Sequence, residues 1–159
     1  MRFAGFDHID LRIVDLAAER QLYDALLPAL GLTEIVDLPG AREYYEASAA
    51  PDEARRFVGL NVDTTHRANA TRICFAAASA SEVDRLASIA RTAGARAIEG
   101  PEIPYSSEKY YAVFFEDGSG NKLEIAYRRP HLGPVAAIAS ESTLGERGVE
   151  SNPVILYPG

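Results

Sequence analysis

Apolar and polar residues alternate from Phe6 to Val14, with Ile9, Leu11 and Ile13 on one phase and His8, Asp10 and Arg12 on the other. A period of two is that of a half-buried strand. The period then changes. From Leu16 to Leu30 the apolar residues Leu16, Leu22, Tyr23, Leu26, Leu27 and Leu30 make one helical stripe behind Asp15, a good N-cap. Pro28 weakens the last turn, and Gly31 supplies a left-handed stop. Three short strands are predicted next, over Leu32 to Leu38, Arg42 to Ala47 and Arg56 to Val62. Pro39-Gly40 and the stretch Ala49 to Asp52 supply their turns.

The same order then returns. Asp63 to Ala70 is polar and reads as a linker. Arg72 to Ala78 alternates again, and Ser81, with Asp84 three residues later, opens a second helix in a capping-box-like arrangement. Val83, Leu86, Ala90 and Ala93 form its inward stripe, and Gly94 ends it. Ala97 to Ile103, Tyr110 to Glu116 and Lys122 to Arg128 are three more strands, the last two joined by the turn Asp117-Gly118-Ser119-Gly120-Asn121. Strand, helix and three strands thus occur twice, at an offset of about 64 residues. The fold class this predicts is α+β, built from paired βαβββ modules (about 6–62 and 71–128) in a single domain over 1–129. One helix covers one face of each sheet; the opposite face needs another module, a partner chain or a ligand. Residues 130–159 lie outside the repeat as a C-terminal extension.

Composition narrows the function classes. Hydrophobic residues are 47% and charged residues 25% of the 159 residues, which is the balance of a folded globular chain. The formal net charge is −7, with no dense Lys/Arg run, so a nucleic-acid partner is not expected, nor is an anionic membrane surface. No apolar run is long enough to span a bilayer, and the first residues lack the pattern of a signal peptide. One cysteine, Cys74, cannot close an intrachain disulfide, and a cytoplasmic location is the expectation.

His8, Arg72 and Glu124 occupy equivalent phases of the first, fifth and last strands, each opposite the apolar set that packs on a helix. All three therefore point to the concave side. An imidazole and a carboxylate converging there suit several first-row divalent ions. Two ligands are fewer than the usual three of a protein metal site.

Asp7-His8-Ile9, the Asp15-to-Gly31 helix with Tyr23 and Leu26-Leu27-Pro28, and Asp117-Gly118-Ser119-Gly120-Asn121 followed by Leu123-Glu124 together resemble the vicinal oxygen chelate superfamily. That superfamily includes glyoxalase I, bleomycin-resistance and fosfomycin-resistance proteins and extradiol dioxygenases. The resemblance covers residues 6–128 and implies an open, cupped mixed sheet, a homodimer and a small-molecule ligand or substrate. In metal-dependent members a His on the first strand, a His on the fifth and a Glu on the last hold a divalent ion. The ion chelates two neighbouring substrate oxygens and stabilises an enolate-like anion. His8 and Glu124 match, and they are the metal positions the resemblance implies. Arg72 stands where the second His is expected, and a guanidinium cannot be a ligand.

His66 is six residues before Arg72, about 20 Å along an extended chain, and His131 returns only through a turn; neither is a good replacement. Arg72 can instead pair with Glu124, grip a substrate carboxylate or enolate oxygen, or simply neutralise a half-buried acid. His8 can act as a general base near neutral pH or as an ordinary hydrogen-bonded pocket residue. The resemblance places Tyr44, Tyr45, Tyr105, Tyr110 and Tyr111 around a pocket suited to a small aromatic or polyketide-like ligand. Cys74 shares the phase of Arg72 and lines the same side, without a basic neighbour to activate it. Two functions follow. One is a lyase, isomerase or dioxygenase whose anionic intermediate is held by a metal or by Arg72. The other is an antibiotic- or metabolite-binding protein without chemistry.

Overall fold

The computed structural model describes residues 5–47, 55–103 and 109–129. The first module comprises β1 (His8–Ile13), α1 (Leu16–Ala29), β2 (Glu34–Leu38), β3 (Ala41–Tyr45) and β4 (Phe57–Val62). The second comprises β5 (Arg72–Ala76), α2 (Ala80–Thr92), β6 (Arg96–Glu102), β7 (Tyr110–Glu116) and β8 (Lys122–Arg128). Each module forms a four-stranded mixed sheet, in the orders β1-β4-β3-β2 and β5-β8-β7-β6. The repeat seen in the sequence is a repeat of topology: β1 pairs parallel with β4 as β5 does with β8, and the other pairings are antiparallel.

Both helices start and stop by the same devices. Asp15 accepts the backbone N–H of Ala17 at 2.8 Å. At α2 the capping residue is Ser79, not Ser81: Ser79 Oγ accepts from Glu82 N, and Glu82 reaches back to Ala78 N. The true box thus lies two residues upstream of the expected one, because Glu82 rather than Asp84 is long enough to close it. Gly31 and Gly94 have φ of +99° and +92°. The following residues, Leu32 and Ala95, return hydrogen bonds to Leu27 and Ala90, the Schellman ending that a left-handed glycine permits.

The alternation decides which face is buried. Leu11 and Ile13 of β1, Val58 and Leu60 of β4, Val113 and Phe115 of β7, and Leu123 and Ile125 of β8 all sit beneath the helices. Leu22, Tyr23, Leu26 and Leu27 from α1 and Val83, Leu86, Ala87 and Ala90 from α2 close this core. Each large aliphatic side chain so buried contributes about 1.5–3 kcal/mol. The even-numbered positions of β1 stay on the other, open face: His8, Asp10 and Arg12 are all exposed.

The modules are joined by the turn between β7 and β8. Asp117 is fully buried and accepts the Tyr23 hydroxyl of α1 at 2.8 Å. Glu19, also from α1 and 2% exposed, accepts Gly118 N at 3.0 Å and Ser119 Oγ at 2.7 Å. Ser119 Oγ accepts Val14 N, and Asn121 Nδ2 donates to Arg12 O. The apolar stripe on α1 does not announce Glu19, whose burial follows from these contacts with the other module.

Burial pushes the Glu19 carboxyl up. The hydrogen bond from Ser119 opposes the rise and the nearby Asp117 charge adds to it. The folded protein therefore holds this proton more tightly than the unfolded chain does. The contribution is fully present below the ordinary carboxylate value and is lost as pH rises through the raised one. Comparing urea midpoints of the protein and Glu19→Gln over about pH 4 to 7 should show a downward component that the variant lacks; identical profiles would contradict it. Tyr23→Phe removes one partner from buried Asp117 and should cost about 1–3 kcal/mol in the same measurement.

Candidate functional site

His8 sits at the start of β1, the free edge of its sheet. Its register partner on β4 is Phe57, whose partner on β3 is Tyr45. The imidazole stacks on Phe57 with centroids 4.7 Å apart and planes 7° from parallel, and Phe57 meets Tyr45 at 4.8 Å. Asp7 Oδ1 lies 2.8 Å from His8 Nδ1. The carboxylate orients the ring and raises the imidazole pKa above its ordinary value, with the charges of Asp10 and Glu43 adding to the effect.

Across from this edge stands β5. Cys74 and Ala76 of β5, with Phe75, line the same cavity as His8, Ile9 and Phe57. Its volume of about 620 Å³ lies within the range of small-molecule sites. Cys74 is exposed on the open face, yet enough protein surrounds its sulfur that desolvation, reinforced by the charge of Glu124, pushes the thiol up to about 12. It is a neutral thiol beside Glu124, its register partner on β8, with its Sγ donating to Phe75 O at 3.8 Å, and not a nucleophile.

Arg72 and Glu124 share the open face of the second sheet, two positions apart in register. Arg72 is exposed, and its guanidinium lies 4.7 Å from the centroid of Phe114 on β7. Among the described residues no ion pair joins it to Glu124. Glu124 is 7% exposed, and its Oε1 is buried without a hydrogen-bond partner. Arg72 lines a separate cleft of about 90 Å³ with Lys122, Glu99 and Glu116. Neither Arg72 nor Glu124 lines the cavity beside His8.

The tyrosines divide by strand phase, and this corrects part of the expected pocket. Tyr44 is fully buried beneath α1, where its hydroxyl donates to Asp24 at 2.6 Å and accepts from Arg42. That burial keeps its ring off the open face, which its neighbour Tyr45 takes. Tyr111 turns to the helix side and donates to Asp84 of α2 at 2.7 Å. Tyr110 keeps the open face, with the Arg128 guanidinium 4.2 Å from its ring centroid. Tyr105, His131 and the extension 130–159 lie outside the described residues. His66 stays in the linker, its backbone bound to Asp63. Phe57 and Phe114 were not singled out in the sequence, whereas Tyr45 was named with Tyr44 as a pocket position. The signal for the two phenylalanines was register: each stands beside His8 or Glu124 on the open face.

The donor set does not fit a resident metal ion. His8 and Glu124 supply one nitrogen and one carboxylate from different sheets, and the third position carries a permanent cation. Among the described residues no group of three His, Cys, Asp or Glu side chains is placed to hold an ion. Nor, among them, is any helix long and apolar enough to cross a membrane.

Known structures share this architecture. A glyoxalase/bleomycin resistance protein from Albidiferax ferrireducens matches with a TM-score of 0.61 at 25% identity, over 78% of this chain and 98% of that one. The fosfomycin resistance protein FosX from Mesorhizobium loti matches at 0.56 and 15% identity, over 80% and 95%. A FosX variant from Listeria monocytogenes, solved with Mn(II) and 1S,2S-dihydroxypropylphosphonic acid, matches at 0.55 and 19%, over 82% and 94%. Neither a protein-family model nor a curated protein matches this sequence. The chain thus shares the fold of glyoxalase/bleomycin resistance proteins.

The His8 geometry is open to direct test. Following the imidazole C–H resonances by NMR should give His8 a midpoint above the ordinary 6.5. Asp7→Asn should bring it down toward that value, and Asp10→Asn should lower it less. An unchanged midpoint in Asp7→Asn would mean the hydrogen bond is absent in solution.

Proposed function

We propose that this chain binds a small organic molecule against its open sheet faces without a resident metal ion, and that Arg72 supplies the fixed positive charge there. The observation that carries this reading is the Arg72 guanidinium, laid on Phe114 and free of any carboxylate ion pair among the described residues. A guanidinium stays protonated and presents a planar fork of donors that matches carboxylate and enolate oxygens. It supplies fixed charge where negative charge gathers on a ligand. Glu124 beside it offers an unsatisfied carboxylate oxygen to a ligand N–H or O–H.

A catalytic version of this reading is favoured by one further observation, the Asp7–His8 pair. An imidazole oriented by a carboxylate and lining a cavity of ligand size is equipped to take a proton from a bound molecule. A metal-dependent lyase, isomerase or dioxygenase draws support only from the Mn(II) complex of the FosX relative. The donor chemistry of Arg72 opposes it here.

Elemental mass spectrometry separates these readings. Tag-free protein purified without chelators, then exposed to Mn(II), Zn(II) and Ni(II) and gel-filtered, should retain only substoichiometric metal. Arg72→His places an imidazole beside Cys74 and Glu124 on neighbouring strands and should gain zinc retention. Near-stoichiometric metal in the unmutated chain would overturn the proposal.

A further inference from the structure

The row of aromatic rings on the first sheet stops at an open edge. Tyr45, Phe57 and His8 lie in register on β3, β4 and β1, and β1 has no strand beyond it in its sheet. One face of the imidazole is covered by Phe57, 4.7 Å away and 7° from parallel. The opposite face has no ring partner among the described residues, and the side chain is 47% exposed. The imidazole lines the cavity of about 620 Å³, together with Phe57 and with Cys74 and Ala76 of β5. Cys74 and Ala76 are small side chains and leave room in the cavity among the described residues.

We infer that this cavity takes a planar aromatic or heteroaromatic ring, stacked on the free face of His8 as the fourth member of the Tyr45–Phe57–His8 row. The inference rests on the reading that the chain binds a small organic molecule, but not on how Arg72 replaces a metal. Three features point to a flat ligand rather than an aliphatic one. The ring plane of His8 is set in advance, by Asp7 at Nδ1 and by Phe57 on its far face, so a flat partner meets a surface that needs no reordering. Offset-parallel stacking at this spacing is a preferred arrangement of aromatic pairs. The cavity, at about 620 Å³, holds more than one ring, and Ile9, Leu32 and Phe75 give it an apolar wall. Its charged groups, Asp7, Glu46 and Arg56, provide the few polar contacts that orient a ligand.

The test uses 2-naphthoate and its saturated counterpart, decahydronaphthalene-2-carboxylate. The chain has no tryptophan, so naphthoate fluorescence is read against tyrosine alone. The planar probe should bind at least about tenfold more tightly than the saturated one, because only the planar one can stack. His8→Phe keeps a flat surface and should retain binding within about threefold, whereas His8→Ala and Phe57→Ala should each lose at least about tenfold. Ala76→Trp fills the cavity and should abolish binding, with circular dichroism confirming that the variant is folded. In NMR spectra the His8 ring protons should shift upfield on naphthoate addition.

Equal affinity for the two probes would overturn the inference. So would equal losses in His8→Phe and His8→Ala, or no naphthoate binding by the folded protein. Naphthoate shifts mapped to Arg72 and Phe114 in place of His8 and Cys74 would overturn it too, while leaving the small-molecule reading intact. Stoichiometric metal alongside intact stacking would do the reverse, ending the metal-free reading and sparing this one.

Discussion

Two buried carboxylates, Glu19 and Asp117, meet at the joint between the modules, and the placement of the cavity depends on them. A carboxylate removed from water is costly unless every lone pair finds a donor. Here the donors come largely from the opposite module. Gly118 and Ser119 of the second serve Glu19 of the first, and Tyr23 of the first serves Asp117 of the second. Asp117 also accepts Asn121 N and Nδ2 of its own module, whereas Glu19 takes its donors from the other module. The cost of separating the modules is therefore higher than the apolar contact between α1 and α2 alone would set. Burial and the Asp117 charge push the Tyr23 phenol well above its ordinary pKa, so it remains a donor across the accessible pH range.

With that joint made, β1, the free edge of one sheet, and β5, the free edge of the other, both line a cavity of about 620 Å³. His8 faces it from one side and Cys74 from the other. Arg72 and Glu124 lie further along the second open face, where charge rather than cavity size is the resource. The open faces thus carry two kinds of surface: a flat aromatic edge at His8, and a permanent cation beside an unsatisfied carboxylate at Arg72 and Glu124. A single ligand with a ring and an anionic group joins both in chemical terms.

Much of this was legible in the sequence, and the exceptions have physical causes. The doubled strand–helix–strand pattern, the α1 cap at Asp15 and the strands at Tyr110–Glu116 and Lys122–Arg128 follow from periodicity and turn residues. The α2 cap was misplaced because two Ser residues, Ser79 and Ser81, stand at the start of the helix, and the length of Glu82 tells which closes the box. Adjacent tyrosines gave the alternation but not its phase. At 44–45 the inward member packs in the core, a fact set by the register with β4. The pairing of Arg72 with Glu124 was a fair electrostatic expectation, yet the guanidinium found Phe114 instead. Glu19 sits on the α1 stripe as an ordinary polar residue, and only the fold of the second module explains its burial.

The account stands or falls on Arg72 as a working cation in place of a metal ligand. The most direct measurement is an anomalous difference map from crystals of the protein soaked in Mn(II). The account predicts the Arg72 guanidinium on the Phe114 ring and no manganese peak within coordinating distance of Glu124. A strong peak on Glu124, with Arg72 swung aside and an imidazole completing the ligand set, would contradict it.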